Sequence, residues 1–184
     1  MAKSEEQIIS ELNVARETYS GGSKVPGAKT TYLGSPWFDD TQANLLIEAY
    51  KNLLQNPTIG HIHVPLLHQY QGQVLSSGKT DHSDAFKYEW AINTYKADLE
   101  AIKNSDLTVA LETPDDVDSG TSVEIGLTVG MNKPVVALFN GDLYKTPVNL
   151  MESFGVTSYV TTPEELKKFN FLDIAPRKFE GAII

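Results

Sequence analysis

The chain has 184 residues, of which 41% are hydrophobic and 21% charged, and a formal net charge of -9; this fits one globular domain with a single sizeable core. No run of Lys or Arg supplies a basic patch against the negative field, which argues against a nucleic-acid polymer as partner. The absence of cysteine excludes disulfides, thiolate nucleophiles and Cys-based zinc sites, while the lack of both a signal-peptide pattern and an apolar run of about 18 residues predicts a cytoplasmic protein that engages no membrane.

At the start, Ser4 precedes Glu5 and Glu6, and Ile8, Leu12, Ala15 and Tyr19 recur at helical spacing. This predicts a short amphipathic leader helix with acids where the helix dipole favours them. The Gly/Pro/Ser-rich stretch 20–29 reads as a linker or tight loop, so residues 1–29 are expected to form an appendage to a domain spanning 30–184. Short apolar runs then alternate with helical patterns. Strands are predicted at "TTYLG" (30–34), "HIHVPL" (61–66), "LTVALE" (107–112), "PVVALF" (134–139) and "SYVTT" (158–162). Helices are predicted over about 40–55, 82–103 and 121–131, with a short one in "PEELKKF" (163–169). Strands of this length separated by helices predict an α/β domain, a doubly wound parallel sheet of about five strands with helices on both faces.

Such sheets bind ligands beyond the carboxyl ends of their strands, which directs attention to "GSPWFDD", "LLHQYQG", "TPDDVDSGTSVE" and "NGDLYKTPVNLM". Neither a G-x-G-x-x-G fingerprint nor a G-x-x-x-x-G-K-[ST] loop occurs, so a dinucleotide oxidoreductase or a P-loop NTPase loses its support. Glu124 admits two readings. Thr121-x-x-Glu124 has the spacing of a capping box, in which hydroxyl and carboxylate satisfy orphaned amides. Yet Asp115, Asp116 and Asp118 crowd the same loop, and acids gathered in a cleft shift one another's pKa and suit acid, base or nucleophilic roles. A carboxylate at a helix N-terminus is expected to stay ionised.

The segments "TYLGSPWFDDTQ", "VPLLHQYQG", "NTYKADLEAIKNSD", "DSGTSVEIG", "KPVVAL", "PVNLM" and "PRKFEGAII" resemble, in order and spacing, the nucleoside 2'-deoxyribosyltransferases. The resemblance covers 30–184. It implies a flavodoxin-like subunit that moves 2-deoxyribose between nucleobases without metal or organic cofactor. It further implies that Glu124 is the nucleophile, forming a covalent deoxyribosyl-enzyme that a second base resolves with overall retention. By the same resemblance Tyr32 orients that carboxylate, and Asp98 and Asp118 are the base-side aspartates, one of them protonated. Gln69 contacts the base, Asn149 binds the sugar 5'-hydroxyl from a neighbouring subunit, and Trp37 and Phe38 wall the base. Gly34 and Met151 are further substrate-binding positions. Substrates would be purine and pyrimidine 2'-deoxyribonucleosides and free bases, and the assembly a homohexamer built as a trimer of dimers. The chain ends "GAII" where many relatives carry a terminal tyrosine, so only the Ile184 carboxylate could serve there.

Each of these residues also has a structural reading: Tyr32 as a core aromatic of a strand, Asp98 as a solvated helical acid, Asp118 as an Asx-turn residue, and Asn149 as the cap of a helix in "LMESF". His61 and His63 share a strand face, with His68 nearby, but without a carboxylate at metal-ligand spacing they are read as solvent-facing and no metal is expected. Gly126 and Gly130 are read as allowing close approach to the sheet. Two alternative functions stand beside transfer. One is a 2'-deoxynucleoside 5'-monophosphate N-glycosidase, which should carry phosphate-binding cations near "TPVNLM"; the other is a non-catalytic nucleotide-sensing module.

Overall fold

A computed structural model describes residues 3–72 and 85–184. Five strands, β1 (Lys29–Gly34), β2 (Ile59–His63), β3 (Leu107–Glu112), β4 (Val135–Phe139) and β5 (Ser158–Val160), form one sheet in the order β2-β1-β3-β4-β5. Every pairing is parallel. This is the flavodoxin-like winding, in which connections leave β1 in opposite directions and open a crevice beyond the carboxyl ends of β1 and β3. The helices are α1 (Glu5–Tyr19), α2 (Asp40–Gln55), α3 (Ala85–Asn104), α4 (Ser119–Gly130), α5 (Leu150–Gly155) and α6 (Pro163–Lys168).

Strand alternation sends side chains to two cores. Leu33, Val109, Leu111, Val136 and Leu138 join residues of α1, α2 and α6 in the larger cluster. Ala110, Val135, Ala137 and Phe139 join Ile125 of α4, Tyr159 and Phe179 in the smaller one. β3 and β4 are buried along their whole length, as expected of central strands covered on both faces.

Several boundaries differ from the sequence expectation for local reasons. β2 ends at His63 because Pro65 opens a 3-10 turn, Pro65–Leu67, where its fixed φ suits a helical start. β5 stops at Val160 because Thr162 caps α6 in a reciprocal box with Glu165. Of the long helix expected over 82–103, α3 covers 85 onward, and residues 82–84 lie outside the described residues. The helix α5 follows the cap at Asn149, as the structural reading of that residue has it.

The leader helix is a correction. Ser4 and Gln7 form the capping box that starts α1, but the helix is no appendage. Ile8, Leu12 and Ala15 are 0, 0 and 2% exposed and sit within the larger core against α2. The segment after it is also tied down, since the Lys24 ammonium donates to the Leu54 and Asn56 carbonyls at the end of α2, satisfying acceptors that a helix end leaves orphaned. Gly126 and Gly130 are a second correction. Both are exposed and a Cβ at either would meet nothing, so close approach to the sheet does not explain them.

Candidate active site

α4 starts at Ser119, two residues earlier than a Thr121 cap would allow, because Asp118 takes the capping position. Its Oδ2 accepts from the Thr121 amide at 2.7 Å and from the Thr121 hydroxyl at 2.9 Å. Thr121 is buried inside the first turn, so no Thr121/Glu124 capping box forms. Glu124 therefore lies beyond the turn that the helix dipole supports, and its side chain is free to reach the sheet.

There it meets Tyr32. The phenol, fully buried on β1, donates to Glu124 Oε1 at 2.5 Å. Gly34, two residues on, lets the carboxylate approach the backbone: a Cβ at this position would stand 2.5 Å from Glu124 Oε2. Burial is the main influence on Glu124 and raises its pKa to about 8; the Tyr32 hydrogen bond pulls the other way, while Asp98 and Asp118 add to the rise. The expectation that helix position keeps this carboxylate ionised is thus overturned, because desolvation outweighs a dipole that it is too far along the helix to feel. Burial and the nearby Glu124 and Asp98 charges hold the Tyr32 phenol well above the ordinary range, so it stays a donor.

Of the acids in the adjacent loop only Asp118 acts on Glu124. Asp115 and Asp116 are exposed, with Asp116 accepting from Gln42 Nε2 at 2.8 Å. Asp98 comes from α3, partly buried and 3.9 Å from His63 Nε2. His63 is not solvent-facing: its ring stacks on Tyr32 and on His68. Among the described residues no group of His, Asp and Glu is arranged to hold a metal.

Sequence reasoning passed over Glu112. It closes β3 at the ligand end of the sheet, 2% exposed, with both carboxyl oxygens lacking a hydrogen-bond partner among the described residues. Burial, then Glu152, Asp118 and Glu124, push its pKa up to about 9. Glu152 of α5 is buried as well and accepts from the Ser122 hydroxyl of α4 at 2.7 Å. The available signal was a charged residue ending the otherwise apolar "LTVALE" just where such sheets bind ligands.

The other expected positions divide. Asn149 caps α5, its Oδ1 accepting from the Met151 amide at 2.8 Å. It is itself exposed, and Met151 is 76% exposed. The segment Ala182–Ile184 runs beside Val148–Leu150, with Leu150 N donating to Ile184 O at 2.9 Å. Gln69 is buried and grouped with Ile9, Asn13 and Arg16 of α1 around a cavity, its Oε1 unpartnered. Trp37 packs on the larger core and donates to Glu5 of α1 at 3.4 Å, whereas Phe38 beside it is 62% exposed. Phe38 therefore keeps a free face and Trp37 is taken up by the leader helix. No described helix is long and apolar enough to cross a membrane.

Comparison with known proteins gives the family. A family model described as nucleoside 2-deoxyribosyltransferase matches residues 31–154. The chain is 35% identical over 159 residues to a nucleoside deoxyribosyltransferase of Lactobacillus leichmannii, covering 84% of this chain and 98% of that protein. It is 37% identical over 145 residues to that of Limosilactobacillus fermentum, covering 76% and 84%. A solved 2-deoxyribosyltransferase from Bacillus psychrosaccharolyticus superposes with a TM-score of 0.61 at 25% identity, over 80% of this chain and 98% of the other.

Proposed function

Since the chain belongs to the nucleoside 2-deoxyribosyltransferase family, we propose that it moves 2-deoxyribose between nucleobases by double displacement on Glu124. The supporting observation is the Tyr32–Glu124 hydrogen bond of 2.5 Å, which holds a desolvated carboxylate at the end of β1. In the first half-reaction Glu124 Oε2, the oxygen not bonded to Tyr32, attacks the anomeric carbon as the bond to the nucleobase breaks. An ester forms with inversion; attack by the incoming base inverts the centre again, giving retention. The burial that raises the pKa of Glu124 also strengthens its attraction for the oxocarbenium-like transition state, because little solvent screens the two charges. Tyr32 fixes the carboxylate orientation and lowers its proton affinity.

The departing base needs a proton or hydrogen bond. Asp118 uses Oδ2 as a double acceptor at the start of α4, which leaves Asp98 as the acid that faces the base. Phe38 supplies an apolar surface against it. Asn149 and Met151 serve the sugar of a neighbouring subunit's site. Their exposure supports this, together with an apolar surface formed by Val123, Leu150 and Phe154, each at least half exposed, of the kind that marks an interface. Purine and pyrimidine 2'-deoxyribonucleosides and free nucleobases are the proposed substrates, and a homohexamer built as a trimer of dimers is the proposed assembly.

The test is to incubate deoxyinosine with and without adenine or cytosine and chromatograph the products. Deoxyadenosine or deoxycytidine is expected. Free base and sugar formed without an acceptor would make the protein a hydrolase, and unchanged substrate a sensor. Glu124→Ala, folded by circular dichroism, is expected to lose transfer by about 10³-fold or more. Retention of about a tenth of wild-type turnover would remove Glu124 from the nucleophile's role.

A further inference from the structure

His63 ends β2 opposite Tyr32 in the parallel register. Its ring stacks on the Tyr32 ring at 5.5 Å and 13° between planes, and on the His68 ring at 4.2 Å and 21°. His68 is anchored in turn, because its Nδ1 lies 2.8 Å from the Val64 carbonyl oxygen and must donate to it. The His63 imidazole is thus held by its faces while Nε2 is buried without a hydrogen-bond partner among the described residues. A buried polar atom in that condition is costly and calls for an explanation in a native fold. The facing acid is Asp98, whose Oδ1 is 3.9 Å from Nε2, beyond hydrogen-bond distance but within reach of a small side-chain rotation. The groups around this imidazole are Tyr32 from β1, His61 from its own strand, His68 from the following turn and Asp98 from α3; Glu124 of α4 lies on the far side of Tyr32.

We propose that His63 is a positioning residue for the nucleobase acid: its Nε2 closes onto Asp98 when a nucleobase is bound, and the pair holds the proton that the departing base takes. This rests on the reading of Glu124 and Asp98 given above. In the first half-reaction Glu124 forms the new bond to C1' while the electron pair of the C1'–N bond passes to the base, which receives the proton from the Asp98–His63 pair. In the second half the incoming base returns a proton to the pair as its nitrogen bonds C1' and the ester to Glu124 breaks. The pair ends each cycle as it began. A chemical need favours this arrangement: an ordinary aspartic acid has given up its proton above about pH 4. An imidazole closed onto a carboxyl can carry a proton and pass it through that carboxyl to the base.

The test compares two donors, deoxyguanosine and 7-methyl-2'-deoxyguanosine. The cationic base of the second departs neutral and needs no proton. His63→Phe keeps the aromatic stack and removes Nε2; His63→Gln keeps an N–H donor that cannot titrate. Measured as single-turnover release of the donor base, the first half-reaction alone, both are expected to lose about 10²-fold on deoxyguanosine and to stay within about threefold of wild type on the methylated donor. Equal losses on both donors would mean that His63 only supports the fold, and no loss on either would exclude it; each overturns the proposal. If wild type reacts with the methylated donor yet Glu124→Ala is equally active on it, the underlying nucleophile reading falls, and the His63 proposal with it.

Discussion

Gly34 acts through one missing atom. The position is buried at the end of β1, and a Cβ there would fall 2.5 Å from the Glu124 carboxylate; backbone and strand pairing can stay, but the carboxylate must move. Gly34→Ala is therefore expected to fold normally and to lose about 10²-fold in kcat, the scale on which misplacement by an ångström acts. Deoxyribosyl transfer measured beside a thermal melt checks this; activity within about twofold of wild type would show that Glu124 Oε2 has room elsewhere. Glu124 and Tyr32 give a second expectation. With the Glu124 pKa near 8 in the free protein, kcat/KM should climb with pH and level off above about 8, where the carboxylate is ionised. Removing the phenol in Tyr32→Phe takes away the hydrogen bond that favours ionisation, so the rise should move to higher pH. A profile flat from about pH 5 upward in wild type would contradict the assignment.

At the scale of elements, α1 decides how much of the chain folds together. Its apolar stripe is narrow, with Ile8, Leu12 and Ala15 buried and Val14 58% exposed. Truncating Leu12 should leave a cavity between α1 and α2, and Leu12→Ala is expected to cost about 2–5 kcal/mol, against roughly 0.5 kcal/mol or less for Val14→Ala. Urea unfolding with a common m-value checks it. Equal effects from the two substitutions would mean that the leader is docked without contributing to the folding unit. The opposite case is α5, six residues long, too short to persist alone. It is held by the Asn149 cap, by Glu152 reaching Ser122 of α4, and by the pairing of Leu150 with Ile184. Those ties place Asn149 and Met151 at the surface, where a neighbouring subunit would meet them.

For the whole molecule, two buried carboxyls make stability depend on pH with a definite sign. Glu112 and Glu124 are raised to about 9 and about 8 from an ordinary value of 4.5, so the folded protein binds these protons more tightly than the unfolded chain does. Their contribution is complete below the unfolded value, declines as the unfolded carboxyls ionise, and is gone once pH has passed through the folded values. The thermal midpoint should therefore fall from about pH 5 to about pH 10, and Glu112→Gln, a neutral isostere, should flatten part of that decline. Parallel slopes for the two proteins would show that Glu112 already ionises near the usual range. Assembly supplies the other expectation. If each site takes Glu124 from one subunit and Asn149 from its neighbour, inactive Glu124→Ala and Asn149→Ala proteins refolded together should regain transfer. A mixed dimer puts both lesions in one site and leaves the other intact, so about a quarter of sites should recover. Subunit exchange shown by mass without a rise in activity would place Asn149 within its own chain's function or outside it.

Much of the architecture was legible because it follows from local periodicity. Short, β-branched apolar runs such as "LTVALE" and "PVVALF" read as buried strands, the Ser4 start of α1 is a matter of neighbouring atoms, and the alternation of strand and helix favours a parallel winding. The order of motifs also pointed to the family to which the chain belongs. The site was legible as residue types and not as an arrangement. Tyr32 and Glu124 are 92 positions apart, and only the adjacency of β1 and β3, with α4 laid over them, brings the phenol to the carboxylate. That packing also selects Asp98 and Asp118 over Asp115 and Asp116 as the acids Glu124 meets. It moves the cap of α4 to Asp118, takes His63 out of solvent by stacking it on Tyr32, and leaves Glu112 without a partner. Periodicity is carried by residues a few positions apart, whereas desolvation and charge coupling depend on which distant elements share a volume, and that is settled only when the sheet closes.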